Sequence, residues 1–368
     1  MTRLLSQKMR FLTFISIILL GYVHGYNLEN NYLTPYSTVD EPLTFTAFIE
    51  YLLSNGLLRF RIPLLFLISG YLYSQTQNKP WHLRIRQRFI TLMIPYLLWS
   101  AFGLAITFLL QQIPATAAVV KASQLDQMGD NRPYTEIGWF GVLYRWLLVP
   151  ISFQLWFIFV LFVYNFIYPI ISWLLNKVAY IWLFITFLLW LTLFNNGFVE
   201  GQGLFFFSLG AFIQKRNINI QQEPRWFSLG LTWIFFIGVC SIKTFMAFEL
   251  NPHSLTTPVL ITILYQLSIP AGVLAVWFST DKLSAWWMQQ PLLKEWSGHS
   301  FFVYGMHIPL LAYAMQWLTT AGSAFTFIRL STFLVLPMLF MIGGLVLATQ
   351  VKKFAPGFYK LLSGGRGI

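Results

Sequence analysis

The sequence predicts an all-α, polytopic membrane protein of about ten transmembrane helices. Two observations carry this prediction: 57% of the 368 residues are hydrophobic, and only 10% are charged. A soluble domain carries about 25% charged residues, so most of the outer surface here must face lipid. The apolar runs are about 20 residues long, which is the length of a membrane-spanning helix rather than a barrel strand.

Ten apolar runs follow one another along the chain. They cover residues 10–26, 57–74, 89–111, 154–176, 179–194, 201–214, 226–248, 257–279, 299–320 and 326–350. An even number of spans places both termini on the same side of the membrane.

The basic residues indicate which side that is. Of the 24 Lys and Arg residues, seven fall on the side opposite the termini: Arg59, Arg61, Lys121, Arg132, Arg145, Lys243 and Arg329. The remainder lie on the side of the termini. The positive-inside rule therefore predicts cytoplasmic termini in the plasma (inner) membrane.

The segments between the runs are too short for a second domain, so the sequence predicts one domain over 1–368. The longest connection, 112–153, holds a polar stretch (121–136) and an aromatic piece (137–149) that suits the membrane interface. The chain ends in Ser363-Gly-Gly-Arg-Gly367, which is typical of a frayed tail or a cloning remnant. The net charge of +12 sits in short loops, so it indicates topology and not a nucleic-acid partner.

His24 is the first candidate catalytic residue. It lies 14 residues beyond Arg10, or about 21 Å along a helix, in the outer third of the bilayer. An ionisable side chain within a span indicates function, and a neutral imidazole can act as a general base. The alternative is a histidine that is hydrogen-bonded inside the bundle or lies in the interface.

Three arginines after the second span form a candidate donor site. Arg84, Arg86 and Arg88 follow one another at alternate positions, and arginine side chains suit phosphates. A nucleotide-bearing donor such as a coenzyme A thioester would fit them. The alternative is topology alone, with the arginines on lipid phosphate.

Arg59 and Arg61 precede Pro63 on the predicted outer side, where the positive-inside rule does not explain them. They would bind an anionic acceptor, or pair with a carboxylate such as Glu50 or Asp40. Trp156 begins the fourth run and is a weaker candidate for the acceptor site.

His299 and His307 are eight residues apart, so they share approximately one helix face. A metal site needs further ligands, and the spans offer no carboxylates at ligand spacing, so no metal is predicted. The roles that remain for these two histidines are contact with the donor or helix packing. The chain also lacks a G-x-S-x-G motif, a P-loop and a dinucleotide fingerprint, which favours acid–base catalysis on a bound substrate.

Several motifs resemble the acyltransferase-3 family of integral membrane acyltransferases, over about residues 5–350. They are Leu19-Leu-Gly-Tyr-Val-His24, Ile62-Pro-Leu-Leu-Phe-Leu-Ile-Ser-Gly-Tyr-Leu72, Arg88 with Ile94-Pro-Tyr-Leu-Leu-Trp-Ser100, Leu155-Trp-Phe157, Phe207-Ser-Leu-Gly-Ala-Phe-Ile213 and Phe301-Phe-Val-Tyr-Gly-Met-His307. Each motif is weak alone, and their order and spacing carry the resemblance.

The resemblance implies a ten-helix core with His24 as the catalytic residue. It implies a cytoplasmic acyl-CoA co-substrate, no other cofactor, and transfer to a hydroxyl, most often as an acetyl ester on a glycan or lipid-linked sugar. Arg10, Arg84, Arg86, Arg88 and His307 would then bind the donor. Arg59, Arg61 and Trp156 would bind the acceptor.

The chain departs from the family pattern twice. Thr13 stands where the family usually has Arg or Lys, and Arg10, one turn earlier, would substitute for it. Arg84-x-Arg86-x-Arg88 stands where Arg-x-x-Arg is usual. The alternative function is an exporter of a polysaccharide or lipid-linked sugar.

Overall fold

A computed structural model describes residues 2–25, 35–123, 125, 136–325 and 327–367. The first half of this part of the chain contains α1 Arg3–Ile18, α2 Leu20–His24, α3 Phe45–Tyr51, α4 Arg61–Ser74, α5 Trp81–Arg88, α6 Ile94–Gln111, α7 Pro114–Ala122, α8 Gly138–Leu147 and α9 Trp156–Phe166. The second half contains α10 Tyr168–Lys177, α11 Ala179–Leu191, α12 Gly201–Lys215, α13 Leu229–Glu249, α14 Thr256–Ser279, α15 Asp281–Trp287, α16 Pro291–Trp296, α17 Ser300–Ala321, α18 Ile328–Phe354 and α19 Pro356–Ser363. Two π-helical turns, Leu52–Leu57 and Phe89–Met93, and a 3₁₀ turn, Phe153–Leu155, join neighbouring helices.

Six helical segments of the described chain are long and apolar enough to cross a membrane. They are Arg3–His24, Phe45–Ser74, Trp81–Gln111, Leu229–Glu249, Thr256–Ser279 and Ile328–Phe354. Phe153–Phe166 and Tyr168–Lys177 form a pair bent by 59°, which would make a seventh span if it crosses as one. All ten predicted apolar runs overlap helices, and the all-helical, multi-pass prediction is confirmed. The count of ten and the cytoplasmic side of the termini remain predictions. Arg132 and most of the polar stretch 121–136 lie outside the described residues.

The first helix lies inside the bundle. The Thr2 hydroxyl accepts a hydrogen bond from the Leu5 amide at 3.2 Å, which caps the first turn. Apolar side chains of α1 such as Phe11 and Leu12 are buried in the main core. Lys8 is buried too, and its ammonium lies 2.5 Å from Asp281 at the start of α15. This contact fixes the first half of α1, which carries Arg10.

The helix that carries His307 is broken. Pro309 disfavours helical backbone at the residue before it, and Ile308 has φ −107° and ψ 135°. The Ile308 carbonyl, released from the helix, accepts a hydrogen bond from the Ser152 hydroxyl at 3.0 Å. The Gln154 amide nitrogen donates to the carbonyl of Gly305 at 3.2 Å. The break in α17 therefore holds the 3₁₀ turn, and with it Phe153, against the middle of the bundle.

The prediction of a frayed C-terminal tail is wrong. Residues 363–367 follow α19 back into the bundle, where the indole N–H of Trp99 donates to the Leu362 carbonyl at 3.0 Å. The Arg366 guanidinium donates to the Thr91 carbonyl at 2.9 Å. The glycine-rich composition that suggested fraying instead allows close backbone contact.

Candidate active site

His24 ends α2 and is 8% exposed. It lines a cavity of about 370 Å³ together with Arg59, Arg61, Trp156, Glu200, Gln202 and other residues. We call this the outer cavity, after its side in the predicted topology. The ring centroid of His24 lies 4.7 Å from that of Phe153 and 5.5 Å from that of His307. The predicted catalytic histidine therefore faces a cavity and another imidazole, not lipid.

His307 is fully buried beside His24. Its Nδ1 lies 2.8 Å from the Tyr304 carbonyl oxygen. A carbonyl only accepts, so Nδ1 carries the proton and Nε2 of the neutral ring carries a lone pair. Among the described residues, neither Nδ1 of His24 nor Nε2 of His307 has a hydrogen-bond partner. Both atoms are buried, and of these two histidines His24 lines the outer cavity.

Arg59 and Arg61 both line the outer cavity, as the predicted acceptor site requires. The Arg61 guanidinium donates to the carbonyl of Ser16 in α1 at 3.3 Å and to the carbonyl of Leu58. Glu50, the predicted alternative partner, instead lies 2.6 Å from Arg329. The two arginines therefore bring positive charge to the space beside His24.

The remaining wall of the outer cavity combines aliphatic side chains with polar and aromatic ones. Trp156 is 38% exposed, and the amide nitrogen of Gln202 donates to the Tyr265 hydroxyl at 3.0 Å. Glu200 caps α12, where its carboxylate accepts hydrogen bonds from the amides of Gln202 and Gly203. Sequence patterns do not connect Gln202 and Tyr265 to His24, because only the tertiary fold brings these helices together.

A second and a third cavity lie toward the start of α1. The mouth cavity, of about 750 Å³, is lined by Arg10, Thr13, Lys294, Glu295, Lys352, Arg366 and other residues. The inner cavity, of about 220 Å³, is lined by Ile17, Leu65, Arg88, Phe157, Tyr304, Arg366 and other residues. Thr13, Leu72, Ser300 and Arg366 line both, so the two are contiguous. Together they lead from a basic entrance to an apolar interior.

The predicted donor residues divide into two groups. Arg10 lines the mouth cavity, where its guanidinium donates to the Lys294 carbonyl at 2.8 Å, and Arg88 lines the inner cavity. Arg84 is buried with its guanidinium 4.0 Å from the centroid of the Tyr73 ring, and Arg86 is exposed. Neither Arg84 nor Arg86 lines the three cavities defined above. His307 is not among the residues that line the mouth or inner cavity, but it contacts Tyr304, which lines the inner one.

A thin wall separates the inner and outer cavities. Phe157 lines the inner cavity, and its neighbour Trp156 lines the outer one. On α1 and α2, Ile17 faces the inner cavity and Leu20, three residues later, faces the outer one. Three residues of helix rise only about 4.5 Å, so a group in the inner cavity ends close to the His24 side of the wall.

A family model described as an acyltransferase domain, Acyl_transf_3, matches residues 9–351. The chain belongs to the acyltransferase-3 family. Among curated proteins and among solved structures, no match was found. Membership confirms the resemblance in the sequence, and with the apolar helices it supports a multi-pass membrane acyltransferase.

The family match covers most of the cavity walls, but not all of them. His24, Arg88 and His307 lie within the matched range, whereas Lys352 and Arg366 lie beyond it. Sequence reasoning missed Arg366 because the segment around it has no apolar periodicity. The only signal in the sequence is a charged residue among glycines.

Proposed function

We propose that this protein is a membrane O-acyltransferase. It transfers an acyl group, most simply acetyl, from acyl-CoA in the mouth and inner cavities to a hydroxyl of an extracytoplasmic glycan or lipid-linked sugar in the outer cavity. The observation that carries this proposal is the position of His24, beside a thin wall between two cavities that approach it from opposite sides.

His24 acts as the general base. It takes the proton of the acceptor hydroxyl while that oxygen forms a bond to the thioester carbonyl carbon. The carbon–sulfur bond then breaks, and the coenzyme A thiolate leaves and takes up the proton. Arg59 lies in the same cavity and stabilises the negative charge that develops on the carbonyl oxygen. The wall at Phe157 and Trp156 must open for the thioester to meet the hydroxyl.

The acceptor is identified first, by mass spectrometry of surface glycans from cells with and without the gene. Acyl transfer from acetyl-CoA to that glycan is then measured with the purified full-length protein. Loss of a positioned general base should lower kcat by roughly 10²–10⁴-fold, so His24→Ala should lose transfer while it still binds coenzyme A. His253→Ala, at an exposed histidine, is the matched control. Undiminished transfer by His24→Ala would contradict the proposal.

A second function, export of a polysaccharide or lipid-linked sugar, is favoured by one observation. The break of α17 at Ile308 and the 59° bend between α9 and α10 place interrupted helices beside the cavities. Interrupted helices surround the substrate sites of many transporters. Coenzyme A binding distinguishes the two functions, because an exporter has no need of it.

A further inference from the structure

The segment that follows α18 completes the wall of the mouth and inner cavities. The Tyr359 hydroxyl lies 2.6 Å from Nδ1 of His299, which fixes α19 to the start of α17. Gly364 has φ +60°, and a side chain there would collide with the Thr91 carbonyl. Gly367 has φ +78°, and a Cβ there would lie 2.6 Å from the Gly298 carbonyl oxygen. The chain around Arg366 is therefore closely fitted to its place.

Arg366 lies where the mouth cavity narrows into the inner cavity, and it lines both. Its guanidinium donates to the carbonyls of Thr91 at 2.9 Å and Ser363 at 3.3 Å. It also lies 4.2 Å from the centroid of the Phe301 ring. These contacts hold the planar group in one orientation, and its partial exposure leaves part of it open to the cavities.

The charge at this narrowing is unbalanced. Arg88 lines the same inner cavity, and among the described residues neither Arg88 nor Arg366 forms an ion pair with a carboxylate. Burial and the neighbouring Arg88 lower the pKa of Arg366 to about 9, which still leaves it charged at neutral pH. Glu295 lines the mouth cavity, but its carboxylate lies 3.9 Å from Lys352. Two cations in one partly buried site favour an anion between them.

We propose that Arg366 and Arg88 together bind a phosphate group of the acyl donor at the junction of the mouth and inner cavities. This inference rests on the proposed acyltransferase function and assigns the donor contact to a residue beyond the family match. The planar arginine side chain suits the paired oxygens of a phosphate. The wide, basic mouth cavity accommodates the nucleotide end of the donor, and the narrow apolar inner cavity accommodates its thioester arm.

The test measures binding of coenzyme A and of pantetheine, which has no phosphate, to the full-length protein in phosphatidylcholine nanodiscs. Arg366→Gln should weaken coenzyme A binding by about 10- to 100-fold, because charge-assisted hydrogen bonds are lost, and should leave pantetheine binding unchanged. Lys360→Gln removes an exposed positive charge from α19 and should bind both ligands as the wild type does. Coenzyme A affinity that is unchanged in Arg366→Gln would overturn the inference.

A second pair of measurements covers misfolding and the lipid alternative. Arg366→Lys keeps the charge without the planar group, and it should fold with the wild-type unfolding temperature and bind coenzyme A with intermediate affinity. A lipid headgroup carries the same phosphate chemistry as the donor. If Arg366→Gln weakens co-purification of phosphatidylglycerol but not coenzyme A binding, the site belongs to lipid and the inference is overturned.

Steady-state kinetics separate this inference from the proposed function. If both hold, Arg366→Gln raises the KM for acetyl-CoA by about the same factor as it weakens coenzyme A binding, with little change in kcat. A wild-type protein that transfers acetyl groups, with an unchanged KM in Arg366→Gln, overturns the inference alone. A wild-type protein that neither binds coenzyme A nor transfers acetyl groups overturns both.

Discussion

His24 and His307 illustrate how single residues acquire chemistry from neighbours that are distant in sequence. The His307 ring is fixed because its Nδ1 proton is directed to the Tyr304 carbonyl. His24 instead keeps an unpartnered Nδ1 among the described residues and lines the outer cavity. A general base must be positioned and also accessible to its substrate. His24 packs against Phe153 and lines the outer cavity, which supports the proposed role of base, whereas buried His307 is better suited to orienting it.

His299 gives a pH-dependent prediction. Burial, together with Lys352 and Arg10, lowers its pKa, while Glu295 raises it. The folded protein therefore favours the neutral ring, whereas the unfolded chain takes up a proton at a pH of about 6.5. Stability from this group is present above about pH 6.5 and is lost as the pH falls toward the lowered pKa. The thermal unfolding midpoint of the purified protein should fall over that range.

His299→Gln should reduce this pH dependence, because glutamine can still bond to Tyr359 but does not titrate. His253→Gln, at an exposed histidine, should keep the wild-type dependence. The prediction fails if the unfolding midpoint of His299→Gln depends on pH as steeply as that of the wild type.

Among pairs of helices, α4 and α12 make one of the closest contacts. A side chain at Gly70 would collide with the Phe207 carbonyl, and one at Gly210 would collide with the Leu67 carbonyl. Helices in a membrane associate through such small residues, because lipid offers no hydrophobic driving force between them. The contact also fixes two walls of the outer cavity, since α4 carries Arg61 and α12 carries Gln202.

Gly70→Ala should therefore separate α4 from α12 and destabilise the protein by roughly 1–3 kcal/mol, the usual cost of overpacking. Gly238→Ala on α13 is the matched control, since a Cβ there meets no atom within 4 Å. It should be neutral or slightly stabilising because alanine favours helix. Urea unfolding in detergent measures the difference, and equal stability of the two variants would show that α4 and α12 tolerate separation.

The elements themselves were largely predictable from the sequence, because a membrane span leaves a long apolar run. Breaks within spans were not, since Pro309 alone does not reveal whether α17 bends or stops. The positions of charged side chains in the fold were even harder to predict from the sequence. Arg84 and Arg88 look alike in sequence, and both contact the ring of Tyr73 on α4, yet Arg84 is buried while Arg88 lines the inner cavity. Arg366 was missed because its place depends on long-range contacts with Thr91 in the π-helical turn before α6 and with Phe301 in α17.

At the scale of the whole molecule, the cavities follow one another in one direction through the helix bundle. The mouth cavity opens beside the start of α1 and the end of α18, which carry Arg10 and Lys352. The outer cavity lies near Pro35 and Asn195, beside the end of α2, where the first span ends. The proposed transfer across the membrane requires these two faces to lie on opposite sides. The predicted topology places the mouth cavity in the cytoplasm, where acyl-CoA is available.

Cysteine labelling in intact cells tests this direction. The natural Cys240 is buried, so it should contribute little background. Lys360→Cys lies on the α19 face, and His253→Cys lies in the exposed connection between α13 and α14. A membrane-impermeant maleimide should label His253→Cys in intact cells, and should label Lys360→Cys only after the membrane is opened. The reverse pattern would place the mouth cavity outside, where a cytoplasmic acyl donor could not reach it.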